Sequence, residues 1–132
     1  MHRLIFKIFG LFLLTLFISC TQTIDSVEVL KDESKLKLNI QDSDSGFYDN
    51  SVDLDINSTK IKKLRDWIDN NNDSWENSIA SYAQPLISLI GENFRMLIFR
   101  DFVVIGFADT NDKPRQITRQ TDFAEFEFLL EE

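Results

Sequence analysis

The chain has one histidine, His2, and one cysteine, Cys20, in 132 residues. Beyond residue 20 there is therefore no imidazole and no thiol. That inventory excludes a Ser-His-Asp triad, a Cys-His nucleophile pair, a histidine-ligated metal and a thiolate zinc site. An intramolecular disulfide is excluded as well. Only Gly46, Gly91 and Gly106 follow the first twenty residues, and none falls in a G-x-x-x-x-G-K or G-x-G-x-x-G spacing, so no phosphate-cradling loop is supported. Basic charge is also scarce, with 14 Lys and Arg against 22 Asp and Glu. Nucleic acid is thus an unsuitable partner, since phosphate binding needs a cationic face. Neither a cofactor nor a metal is expected.

What is present begins with an address. Met1-His2-Arg3 is a short basic start, and Leu4 to Ile18 is apolar apart from Lys7, Gly10 and Thr15. This is the layout of a removable signal peptide. Its densest run, Ile8 to Ile18, falls well short of the roughly 20 apolar residues that cross a bilayer core. The run closes in Leu16-Phe17-Ile18-Ser19-Cys20, which resembles the lipobox of bacterial lipoproteins, with Phe17 standing where that family usually has Leu, Val or Ile. The resemblance implies that residues 1–19 are removed, that Cys20 becomes the acylated first residue, and that its acyl chains, palmitate among them, anchor the protein. Each buried methylene contributes about 0.8 kcal/mol, so several acyl chains hold stably where one is marginal. Thr21, rather than Asp, follows the cysteine, which in this family implies the outer membrane, facing the periplasm. Loss of Arg3 and Lys7 leaves 12 basic side chains against 22 acidic ones, a balance of −10.

The mature chain, Cys20 to Glu132, suffices for one modest core. Residues 20–26 read as a lipidated start and short tether, and 27–132 as a single α+β domain. Val27 to Leu30 is short and apolar, and reads as a first strand. Lys35 to Ile40 and Val52 to Ile56 alternate as strands with one wet face. Between them, Gln41 to Ser51 is polar and reads as a long loop. Ile61, Leu64 and Ile68, at spacings of three and four, predict an amphipathic helix over Ser58 to Asn70, capped by Asn57 or Ser58. Asp73 to Asn77 reads as a connector carrying Trp75. Ile79–Tyr82, Leu86–Ile90, Phe94–Phe99 and Phe102–Phe107 then read as an antiparallel meander, with the last strand covered on both sides. Arg115 to Arg119 reads as an edge strand, and Thr121 as the cap of a short C-terminal helix. The expected architecture is α+β: an antiparallel sheet with one main amphipathic helix and a short C-terminal helix.

Chemistry is sparse on this frame. Asp42-Ser43-Asp44-Ser45-Gly46 begins like a calcium loop, but an EF-hand needs glycine at the sixth position and glutamate at the twelfth, where this chain has Phe47 and Asp53. A solvated acidic loop is the better reading, with weak calcium binding left open. Asp101, between two strands, reads as a hairpin-turn residue. Lys60, Lys62, Lys63 and Arg65 form a cationic helix start that an anionic headgroup or acidic partner would suit, although a solvated face with Lys62 over Asp66 explains it as well. Trp67, beside Leu64 and Ile68, reads as core, and Trp75 as the tryptophan available to a partner.

The reading is a small acidic lipid-anchored envelope protein that acts by protein binding. An immunity-type inhibitor of a periplasmic toxin or enzyme is its leading form, and an envelope assembly accessory is the alternative. A carboxylate-dependent hydrolase of cell-wall glycan is the enzyme alternative, and a buried, paired carboxylate in a cleft would favour it. The partner-binding residues expected are Asp42, Asp44, Asp49, Asp53, Asp55 and Trp75, meeting a basic protein.

Overall fold

The computed structural model describes residues 21–132, so the leader and Cys20 lie outside the described residues. Two antiparallel strands joined by a turn start the sheet. β1 (Lys35–Gln41) and β2 (Tyr48–Asp55) pair antiparallel, with Leu36 opposite Leu54 and Leu38 opposite Val52. The register slips between Ile40 and Gln41, so Asp49 is the extra residue of a bulge. Tyr48 is thereby set on the face opposite the core, paired with Gln41. The polar stretch read as a long loop is shorter than expected: residues 42–47 form the turn, while Gln41 and 48–51 belong to the strands.

Ser58 accepts a hydrogen bond from Ile61 N–H and opens α2 (Thr59–Asn70), which buries Ile61, Leu64, Trp67 and Ile68. The spacing of three and four places all four on one stripe against the sheet. Asn71 ends the helix, its side-chain amide donating to the Trp67 carbonyl at 2.8 Å. The order of strands is then β2-β1-β4-β5-β6-β7-β3, every pair antiparallel, where β3 is Glu76–Asn77, β4 Ile87–Ile90, β5 Phe94–Ile98, β6 Phe102–Ala108 and β7 Pro114–Gln120. The α+β class and the antiparallel sheet stand as expected.

This topology corrects three local expectations. Val27–Leu30 is not a strand: α1 (Ser26–Val29) is a single helical turn capped by Asp25. Ile79–Tyr82 is not a strand either. β3 lies beyond β7 at one edge, while β4 sits beside β1, so residues 78–86 must cross β7, β6 and β5. They form a strap over the sheet face away from α2, held by Gln116 Nε2 donating to the Ala80 carbonyl at 2.9 Å and by the Tyr48 hydroxyl donating to the Pro85 carbonyl at 3.1 Å. Tyr82 packs on Phe99 and Phe102 with ring centroids 5.9 and 5.7 Å apart. Arg115–Arg119 is not an edge, because β3 pairs with β7 outside it.

Strap and helices together bury β6 from both sides. Ile105 faces α2, Val104 faces the strap, and both are fully buried. Asp122, rather than Thr121, caps the C-terminal helix (Phe123–Leu129), which is a 3-10 helix. Phe123, Phe126 and Leu129 recur every third position, the repeat at which a 3-10 helix stacks side chains on one side, and Phe128 packs partly buried against the core as well. Lys60 Nζ donates to the Leu129 carbonyl at 3.0 Å and Lys63 pairs with Glu131 at 3.1 Å, so part of the cationic start of α2 docks the C-terminal segment. No helix among the described residues is long and apolar enough to cross a membrane.

The residues read as a tether are part of the fold. Gln22 N–H donates to the Trp75 carbonyl at 2.8 Å and Ile24 N–H to the Asn72 carbonyl at 2.9 Å. Ile24 is buried, and Ser26 gives both its N–H and its hydroxyl to the Asp69 carboxylate at 2.8 and 2.9 Å.

Candidate functional site

The predicted partner-binding residues divide into an exposed set and a buried one. Trp75 is the correction. It is fully buried, its ring stands edge-on to Trp67 at 6.2 Å, and its Nε1–H donates to the Asn71 carbonyl at 2.7 Å. The polar neighbours Asp73, Ser74 and Glu76 make it look like a surface residue. Ser74, in the left-handed region at φ 63°, turns the chain so that the indole enters the core.

The aspartates share the β1–β2 edge, at the far end of the sheet from Trp75. Asp53 and Asp55 lie on the wet face of β2, as the alternation predicts. They do not form an uncompensated acidic row, because Asp53 sits directly opposite Lys37 and Asp55 opposite Lys35. Lys35 Nζ reaches Asp53 Oδ2 at 3.4 Å, an exposed pair of little stabilising worth. Asp55 Oδ1 also accepts from Asn57 N–H at 2.8 Å, shaping the turn into α2. Asp49 is the bulge residue, and its side chain lies outside the described atoms.

Asp42 and Asp44 occupy the turn itself. Asp42 accepts from the N–H groups of Asp44 and Ser45 at 3.3 and 3.1 Å. Hydrogen bonds from Ser45 and from the turn amides hold its carboxyl below the ordinary aspartate range. With the folded value depressed, the ionised carboxylate favours the closed turn above the unfolded pKa, and that contribution is lost as pH falls through the folded value. Acidification below the usual aspartate range is therefore expected to open the turn before the sheet unfolds. Amide exchange at Asp44 and Ser45 that accelerates while the Leu38 amide stays protected would show it. Asp44 is exposed, turned to solvent.

Two features of this edge were not read from the sequence. Ile56 N–H donates to the Ser34 carbonyl at 3.0 Å, which makes the even-numbered residues of β2 the ones bonded to β1. The main-chain groups of Ser51 and Asp53 therefore point outward, and no strand among the described residues pairs with them. Beside this free edge, Phe47, Tyr48 and Val52 are exposed. Val52 lies on the core-facing side, but the cover ends before it, and sequence alternation alone cannot show where a cover ends.

An open groove of about 930 Å³ lies on the strap side of the sheet at its other end. The strap residues Ser78 to Ser81, the β4–β5 turn and the end of the β6–β7 hairpin enclose it. Arg95 lies across its floor over Gly106, where a Cβ would meet Arg95 Nε at 2.9 Å, and its guanidinium donates to Gln116. Ile79 stands fully exposed on the rim. A glycine inside a strand is the sequence signal for such close approach, and Gly106 carried it. Of the groove's carboxylates, Asp112 pairs with Lys31 at 3.2 Å.

Among the described residues Glu33 is the only buried carboxylate. Its two oxygens accept from the backbone N–H groups of Glu92 and Asn93 at 2.9 and 2.7 Å, clamping the β4–β5 turn beneath the groove. No group of three or more His, Cys, Asp and Glu gathers as metal ligands among the described residues. Compared with family models, curated proteins and solved structures, the chain matches none.

Proposed function

We propose that the protein is a small lipid-anchored envelope protein that acts by binding a basic protein partner along the β1–β2 edge, most simply as an immunity-type inhibitor of a periplasmic toxin or enzyme. The observation that carries this reading is the free strand β2, an unpaired row of main-chain donors and acceptors flanked by Asp42, Asp44, Asp53 and Asp55 and by exposed Phe47 and Val52. A partner's extended segment can pair with such an edge, the main chain supplying affinity and the side chains selectivity. Lys35 and Lys37 offset Asp53 and Asp55 locally, which leaves Asp42 and Asp44 to carry most of the attraction. Glu33, the one buried carboxylate among the described residues, spends both oxygens on holding a turn and does not line the groove, which supports binding over the glycan-hydrolase alternative, since that chemistry uses a pair of carboxylates facing the substrate.

The experiment is association kinetics with the partner recovered from the native envelope. Changing Asp42 and Asp44 together to Asn should slow association several-fold at low salt, with the gap closing as salt screens charges beyond about 8 Å. Asn at position 42 still accepts the turn's hydrogen bonds, so the fold is retained. Unchanged association at low salt would remove this edge as the contact.

A further inference from the structure

We propose that the folded domain is seated directly on the membrane surface at its α2–β3 turn, with the Asp55–Asn57 end of the β1–β2 edge held away from the bilayer. This rests on the lipoprotein reading of Cys20, and it deepens that reading by fixing how the anchored domain stands. The observation is the lack of a tether. From Gln22 onward the chain is bound: Gln22 and Ile24 are hydrogen-bonded to the Trp75 and Asn72 carbonyls, Ile24 is buried, and Ser26 makes two hydrogen bonds to Asp69. One free residue, Thr21, separates Cys20 from this region. Two peptide units span at most about 7 Å, so the acylated cysteine and Gln22 lie within that distance of each other.

The position of the tie sets the orientation. Gln22 bridges to Trp75, immediately before β3, which is the edge strand opposite β2. Six inter-strand spacings of about 4.8 Å separate the two edges, roughly 29 Å before twist is allowed for. The membrane therefore meets the turn at Asp73. The registers place this turn and the 42–47 turn at the same end of the strands, so the part of β2 farthest from the anchor is its other end, at Asp55 and Asn57. α2 begins just after β2 and ends at Asn71, beside Ile24. Lys60, at the helix start, is thus roughly 17 Å along the axis from Asn71, at 1.5 Å per residue, which sets it back from the headgroups.

The test uses the full-length acylated protein in phosphatidylethanolamine–phosphatidylglycerol vesicles. A thiol dye is attached at Asp73→Cys or Asn57→Cys, the sulfur of Cys20 being occupied by lipid. Headgroup-attached quenchers should dim the dye at position 73 several-fold more than at position 57. A long Gly-Ser insert between Thr21 and Gln22 should abolish the difference. Equal quenching at the two positions in protein whose mass shows acylation would overturn the seat and leave the lipoprotein reading standing. An unacylated mass would overturn both.

Discussion

Replacing Trp75 with alanine is expected to lower the unfolding free energy by about 3–5 kcal/mol, the range for removing a large buried aromatic. The indole is fully buried, packs edge-on to Trp67 and satisfies the Asn71 carbonyl. Trp67 in turn packs on Phe126 at 4.6 Å and donates its Nε1–H to Glu125 at 2.7 Å, so the cavity opens where α2, the C-terminal helix and the N-terminal segment meet. The Gln22 and Ile24 hydrogen bonds close onto the same turn, and the chain from Thr21 should fray with it. Trp75→Phe keeps most of the packing but loses the donor to Asn71, and should cost about 1–3 kcal/mol. Urea unfolding followed by far-UV circular dichroism distinguishes this account from an interface role. A tryptophan serving a partner would lose binding at nearly unchanged midpoint.

Gly91→Ala is expected to cost about 2–3 kcal/mol, the range for overpacking combined with a loosened buried hydrogen-bond clamp. A Cβ at residue 91 would lie 2.2 Å from Glu33 Oε2 and 2.8 Å from Leu36 Cδ2. The carboxylate cannot swing aside without releasing the N–H groups of Glu92 and Asn93. Leu36 is core on the second strand of the sheet, so it cannot move freely either. Glu33→Ala should itself be destabilising, because it orphans two amides. The two changes should be strongly non-additive, the double variant costing at least about 1 kcal/mol less than the sum, since both act on one clamp. Additive losses in denaturant melts would mean that the clash is relieved elsewhere.

The parts of the fold that were legible in the sequence are those with local periodicity. Ile61, Leu64 and Ile68 define α2, and Leu36, Leu38, Val52 and Leu54 define the first hairpin, because each pattern has a period that only one element satisfies. Ile79–Tyr82 misled because four residues are too few to show a period. In the strap only Tyr82 packs on aromatic partners, and Ile79 is left in solvent. Trp75 misled for the opposite reason: its burial depends on Gln22, far away in sequence, and on the turn that brings it back against Trp67, while its neighbours are polar.

The candidate site shows the same division. That Asp53 and Asp55 face water follows from alternation within one strand. That Lys37 and Lys35 face them depends on the register between strands, which the Asp49 bulge and the short turn set. That β2 is a free edge depends on the order of seven strands, to which no single segment points. The groove with Arg95 over Gly106 depends on the crossing of residues 78–86, again a matter of strand order.

The most direct test of binding through the β1–β2 edge is photo-crosslinking in the native envelope, with the probe placed either at Ser51 on β2 or at Ile79 on the groove rim of the full-length protein. The account predicts one discrete adduct from Ser51, to a protein of net positive charge, weakened when Asp42 and Asp44 are changed to Asn, and no such adduct from Ile79. A discrete adduct from Ile79 with none from Ser51 would contradict it and move the binding surface to the groove.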